Sequence, residues 1–170
     1  MIWCAMAVAA LAEATTLQQL TLDDMIQKST VIVHAKVTGS YSAFQGRTIY
    51  TYYQLQVEEN LGGTLATSEV AVPGGAAKGL RQMVPGAPAL ISGQDYVLFL
   101  WTSNTGLSHV MGLSQGLFAV AQDSAGNTVV VRPAANTPML DKSGKVVSDS
   151  AASMKLSDLK TEIQKLRGSK

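Results

Sequence analysis

The sequence predicts a mainly β protein: a small antiparallel barrel or sandwich with a short N-terminal helix and a C-terminal amphipathic helix. Three observations predict it. Thr48 to Glu59 alternates without a break, with Ile49, Thr51, Tyr53, Leu55 and Val57 on one face and Tyr50, Tyr52, Gln54, Gln56 and Glu58 on the other. That is the pattern of an antiparallel strand with one buried and one wetted face. Further short apolar runs recur along the chain, separated by Gly and Pro turns, as in sandwiches and small barrels. Nothing in the chain reads as a βαβ unit or an internal repeat.

The elements follow in order. Met1 to Ala12 is almost wholly apolar, and Ala12-Glu13-Ala14 places small residues where a signal peptidase reads. The run is too short to cross a bilayer, which takes about 20 residues, and it fits a secretory leader over 1–14. Cys4, the only cysteine, then leaves with the leader. No Lys or Arg precedes the apolar run, so the alternatives are a true start further upstream or retention of the segment as an interfacial anchor. The β domain is assigned to 15–147, and a linker with the C-terminal helix to 148–170. About 156 residues remain after the leader, enough for one domain with its own core and no disulfides.

Thr21 is a good N-cap, Asp23 and Asp24 place negative charge in the first turn, and Leu20 and Met25 can close a hydrophobic staple. Val31, Val33, Ala35 and Val37 share one face of the first strand; Ile32, His34, Lys36 and Thr38 share the other. Gln45-Gly46 marks a turn, and Asn60-Leu61-Gly62-Gly63 is expected to end the long strand. Glu69 to Val72 is a strand stopped by Pro73-Gly74-Gly75, and Leu80 to Val84 a further one. Tyr96 to Trp101 is continuously apolar, which suits a strand covered on both faces. Ser108 to Met111, Leu117 to Gln122 and Thr128 to Arg132 are strands, the last two joined by a hairpin turn at Ser124 to Asn127. Ser143-Gly144 is the tip of a small hairpin, and 148–153 a polar linker. Leu156, Leu159, Ile163 and Leu166 form one apolar stripe on a closing helix, with Ser157 as N-cap and Gly168 as stop.

Charge and composition narrow the function. The formal net charge is +1, and no basic stripe exists to track a phosphate backbone, so no nucleic-acid partner is expected. Lys155, Lys160, Lys165, Arg167 and Lys170, interrupted by Asp158 and Glu162, read as the solvated face of the last helix. Sparse charge with frequent Gly, Ser and Thr fits a secreted or periplasmic β protein. No stable membrane span is expected.

Few residues offer chemistry. Gly112-Leu113-Ser114-Gln115-Gly116 matches the G-x-S-x-G nucleophile elbow, which needs a strand before Ser114, a helix after it and a later histidine. Strand follows instead, and His34 and His109 both come earlier. Two distant histidines make a poor zinc site; both are expected at the surface or an edge. No metal, cofactor or catalytic residue is assigned. Gly74-Gly75 and Gly79 lack the phosphate-loop pattern, although Lys78 and Arg81 make that loop friendly to anions. Tyr41, Tyr50 and Tyr52 carry more weight. Tyr50 and Tyr52 share the non-core face of the longest strand, where aromatics stack on rings or anchor a protein interface; cross-strand pairing or helix cover would equally account for them.

Four segments in order, LDDMIQKSTVIVHAKV, IYTYYQLQVEENLGG, VPGGAAKGLRQMVPGAPALISGQDYVLFL and GLSQGLFAV, resemble a group of small secreted bacterial proteins of unassigned function. The likeness spans roughly Leu20 to Val131 and departs at Asn60-Leu61-Gly62, where that group has a basic residue. At fold level the pattern is also similar to oligosaccharide/oligonucleotide-binding (OB) barrels of the netrin or metalloproteinase-inhibitor kind. Such inhibitors chelate the protease zinc through a mature N-terminal cysteine; the expected mature start here is Thr15, so that mechanism does not carry over.

The expectation is therefore a secreted, non-enzymatic binding module that contacts a protein or a cell-envelope component. Its contact surface is the Tyr50/Tyr52 face with the loop from Pro73 to Pro88. Self-assembly into an oligomer or filament is the structural alternative, and a Ser114 hydrolase the third.

Overall fold

A computed structural model describes residues 17–64, 68–135 and 137–168; the leader expected over 1–14 and the expected start at Thr15 lie outside them. Strand β1 (Leu17–Gln18) leads to helix α1 (Leu22–Lys28). The Thr21 hydroxyl accepts the Asp24 N–H at 3.1 Å, and the Asp24 carboxylate accepts the Thr21 N–H at 3.3 Å. This reciprocal box caps the helix where the sequence places its start. Strands β2 (Val31–Gln45) and β3 (Thr48–Gly63) form a long hairpin that turns at Gly46-Arg47. Then come β4 (Glu69–Pro73), β5 (Gly75–Ala77), β6 (Leu80–Gln82), β7 (Asp95–Thr102), β8 (Ser108–Val110), β9 (Leu117–Gln122) and β10 (Thr128–Arg132). Short strands β11 (Met139–Leu140) and β12 (Val146–Val147), then β13 (Ala152–Lys155) and helix α2 (Leu156–Gly168), complete the chain.

The main sheet is antiparallel, in the order β13-β10-β9-β7-β2-β3-β4, with β8 added on β7. β5 and β6 form a separate hairpin, and β1 lies parallel to β11, itself paired with β12. The protein is thus mainly β with two helices. Among the described residues the ladder does not close into a barrel: β4 is the end of the path.

The main sheet has apolar residues on both faces. One face gathers Val33, Val37, Leu55, Val70, Val72, Leu98 and Val110. The other packs Ile32, Val97, Phe99, Phe118 and Val130 against Met25 and Ile26 of α1 and Leu159 and Ile163 of α2. Val97, Leu98, Phe99 and Leu100 in β7 are all fully buried, which explains the unbroken apolar run. No helix among the described residues is long and apolar enough to cross a membrane.

Four local expectations are corrected. The second face of β2 is not wet at its start, because the helices cover it: Ile32 is fully buried, and the His34 Nε2 is buried without a hydrogen-bond partner. β3 extends four residues past Glu59 and ends at Gly63, so Asn60-Leu61-Gly62-Gly63 is its last stretch rather than a turn beyond it. Its glycines are required by close approach. A Cβ on Gly63, whose φ is +84°, would lie 1.9 Å from the Thr30 carbonyl oxygen, and one on Gly62 would meet the Arg167 side chain at 2.9 Å. The polar stretch over 148–153 is linker only in part, since β13 begins at Ala152 and pairs with β10. Finally, α2 begins at Leu156, which puts Ser157 inside its first turn rather than at the N-cap.

Candidate functional site

The helices leave part of the sheet's second face uncovered, and a β-bulge decides what stands there. Val37 lies opposite Leu55 with both side chains in the first core. The register shifts between Val37 and Gly39, and Tyr41 then lies opposite Tyr52. Without the extra residue Tyr41, four positions after Val37, would share its face; the bulge turns it to the other. Small residues flank the tyrosines: Ala43 opposite Tyr50 on β2, and Ala71 opposite Tyr52 on β4.

The result is a row of five rings. Tyr41 stacks on Tyr52 at 5.1 Å between centroids and 14° between planes. Tyr52 meets Tyr50 at 6.4 Å, Tyr50 meets His109 at 5.8 Å, and His109 meets Trp101 at 4.9 Å. Trp101 and His109 are directly paired residues of β7 and β8. The ends of the row are open, with Tyr41 46% and Trp101 41% exposed, whereas Tyr52 is only 8% exposed. Tyr52 is therefore the wedge between its neighbours rather than a free contact. The Tyr41 hydroxyl donates to Glu69 Oε2 at 3.2 Å. Loss of solvent at the phenol, and then the Glu69 carboxylate, raise the Tyr41 pKa. Burial likewise raises that of Tyr52.

His109 holds the middle. Its Nδ1 is 3.0 Å from the Ala71 carbonyl oxygen, and a carbonyl only accepts, so Nδ1 carries the proton. This contact spans the place where β4 and β8 lie side by side without ladder pairing. Burial lowers the His109 pKa, and the bond to Ala71 opposes that shift without overcoming it. An open groove of about 290 Å³ follows the seam, lined by Tyr50, Ala71, Pro73, Trp101, His109 and Leu113 among others. The lining offers ring faces and one imidazole, with no carboxylate, cysteine or serine. Such a surface stacks on rings and exchanges hydrogen bonds through the Tyr50 hydroxyl, the Trp101 indole and the His109 imidazole.

Of the residues singled out in the sequence, Tyr41, Tyr50 and Tyr52 are brought together. Lys78 and Arg81 are exposed on the β5–β6 hairpin and do not line the groove. Trp101 and His109 are the additions. Trp101 follows Val97 and Phe99 at the period of two, which is the available signal for its face. His109, expected at the surface or an edge, lies on β8, which among the described residues pairs only with β7; nothing local indicates that it becomes half-buried against Ala71 of a distant strand.

Ser114 has a different neighbourhood from that of a hydrolase nucleophile. The segment over 111–116 is a series of turns between β8 and β9, and no helix follows. Among the described residues no hydrogen bond joins the Ser114 hydroxyl to a histidine. The motif has a packing explanation. Gly116 passes so close to β7 that a Cβ would lie 2.8 Å from the Phe99 carbonyl oxygen. Gln115, almost fully buried, receives the Leu20 N–H at 2.8 Å and donates to the Gln18 carbonyl at 2.9 Å. No cluster of three or more His, Cys, Asp or Glu side chains suited to a metal occurs among the described residues. Comparison of the chain with protein-family models, curated proteins and solved structures gives no match.

Proposed function

We propose that this protein is an exported, non-enzymatic contact module that binds a component of the cell envelope through its aromatic row. The observation that carries this reading is the continuous line of rings from Tyr41 to Trp101, none of which belongs to the cluster packed under the two helices. An aromatic ring left open to water gives up contact area that a ligand ring or apolar edge recovers on binding. The inner rings lock the outer ones in place, so binding orders little that is not already ordered. Pro73, at the end of β4 where the loop to Pro88 begins, lines the same groove; the rest of that loop does not.

Trp101 provides the test, since its indole stands at the groove. Purified envelope polysaccharide, peptidoglycan fragments and envelope proteins are titrated separately while tryptophan emission is followed. One of them is expected to shift the emission saturably. Trp101→Ala and Tyr41→Ala are expected to weaken that ligand, measured by calorimetry, by about tenfold or more each, with unchanged circular dichroism. Wild-type affinity in both variants would remove the row from the function.

A further inference from the structure

The end of the molecule formed by the β2–β3 turn and the β5–β6 hairpin combines unpaired cations with protruding apolar side chains. The two hairpins are packed together. Gln82 Oε1 accepts the Ile49 N–H at 2.7 Å, and the Lys78 ammonium lies 6.0 Å from the centre of the Phe44 ring. Arg47 stands at the tip of one hairpin, and Lys78 and Arg81 on the other; all three are exposed and none makes an ion pair among the described residues. The neighbouring chain contains no carboxylate from Thr38 to Ile49 or from Val70 to Gln94. Elsewhere Lys28, Lys36, Arg132, Lys142, Lys160 and Lys165 have carboxylate partners, whereas Lys145 and Lys155 form no ion pair among the described residues. Amid these cations Leu80 is 62% and Met83 79% exposed.

We infer that this tip docks on an anionic membrane surface, with Arg47, Lys78 and Arg81 at the level of the headgroups and Leu80 and Met83 dipping into the acyl boundary. Each half of the tip explains the other. Three cations without a neighbouring acid have a positive potential that anionic lipid neutralises and that salt screens. Two large apolar side chains at a hairpin tip gain nothing from water, yet fit the interface between headgroups and chains. A purely ionic partner would leave Leu80 and Met83 in solvent, and a purely apolar one would strand the cations. The surface is distinct from the aromatic row, so docking here fixes the protein at the envelope independently of what the rings bind.

Co-sedimentation of the full chain with vesicles of phosphatidylcholine alone, and with about one-third phosphatidylglycerol, tests the inference. Binding is expected only to the anionic vesicles and is expected to fall steeply between low and physiological salt. Lys78→Gln/Arg81→Gln is expected to lose about fivefold per cation, and Leu80→Ser/Met83→Ser at least about tenfold. These positions are exposed, so circular dichroism is expected to stay unchanged in both variants. The apolar stretch Met1 to Ala12 is common to all the proteins, so any adhesion it causes is insensitive to both substitutions and to salt. Equal binding to neutral vesicles overturns the inference. So does retention of affinity in the Leu80/Met83 variant, which would mark a simple polyanion site. Absence of vesicle binding together with retention on an acidic protein or on heparin also overturns it.

Discussion

Gln115 stands in for a strand. Its side-chain amide takes the Leu20 N–H and the Gln18 carbonyl, fixing the N-terminal segment against the turns after β8. In Gln115→Leu, similar in volume, both backbone groups lose their partner. A loss of about 1–3 kcal/mol per stranded group is expected in urea denaturation, and an unchanged midpoint would refute the account. His109 acts at the same scale. Burial favours its neutral form, so its folded pKa lies below the usual histidine value. A depressed folded pKa means that the stabilisation is complete above about pH 6.5 and is lost as the pH falls through the folded value. Thermal melts between pH 7.5 and 5 are expected to fall more steeply for the wild type than for His109→Asn, whose amide can still donate to Ala71. Parallel curves would show that His109 does not contribute. The buried Tyr52 is expected to behave as a core residue, so Tyr52→Ala lowers stability, by about 3 kcal/mol or more, whatever it does to binding.

At the scale of elements, the helices are held by polar groups at their ends as much as by their apolar stripes. Arg167 near the end of α2 donates through Nε and Nη2 to the Ile26 carbonyl at 3.0 and 2.8 Å, and through Nη2 to that of Ser29 at 2.6 Å. One guanidinium thereby satisfies two carbonyls at the end of α1, those of Ile26 and Ser29, and Gly62 leaves it room. Arg167→Lys keeps the charge but not the fork; its unfolding midpoint is expected to drop nearly as far as that of Arg167→Ala. Full stability in the lysine variant would show that charge alone suffices. At the other end of α1, Lys28, then Thr21 and Lys142, hold the Asp24 carboxyl well below the usual carboxylate range. Burial alone would raise the Asp149 pKa, but Arg132 and the Ala135 N–H outweigh it and lower the net value. Both groups stabilise the fold above about pH 4, and that contribution disappears as the pH drops through their folded values. Acid unfolding of Asp24→Asn/Asp149→Asn is therefore expected to be shallower than that of wild type below pH 4. The turns obey one local grammar. Asp123 and Asp141 each accept the N–H groups two and four residues on, before a left-handed Gly126 or Gly144.

At the scale of the whole molecule, the sheet bends until β4 lies beside β8, yet the two strands are not joined by a ladder. His109 bridges them by a side chain. N–H and C=O of one residue in an antiparallel strand point to the same side, so the Ala71 amide faces this seam. It is expected to exchange hydrogen much faster than the amides of Leu98 and Phe99 in the central β7; equal protection would mean a closed barrel. This architecture was only partly legible beforehand. The strands, the α1 cap, the apolar stripe of α2 and the hairpin at Ser124 to Asn127 depend on interactions within a few residues, and the chain displays them openly. The alternation of Tyr50 and Tyr52 also places them on one face in advance.

What the sequence determined by itself is therefore the local grammar: period-two strands, capped helices and glycine turns, hence a mainly β protein. Only the tertiary structure decided that β2 is covered on both faces at its start, that Ala152 to Lys155 is a strand, that Gln115 is a brace, and that five rings from β2, β3, β7 and β8 meet in one row. The bulge after Val37 and the approach of β4 to β8 made that difference. Both arise from packing between residues far apart along the chain, and a sequence read a few positions at a time carries no measure of such distances.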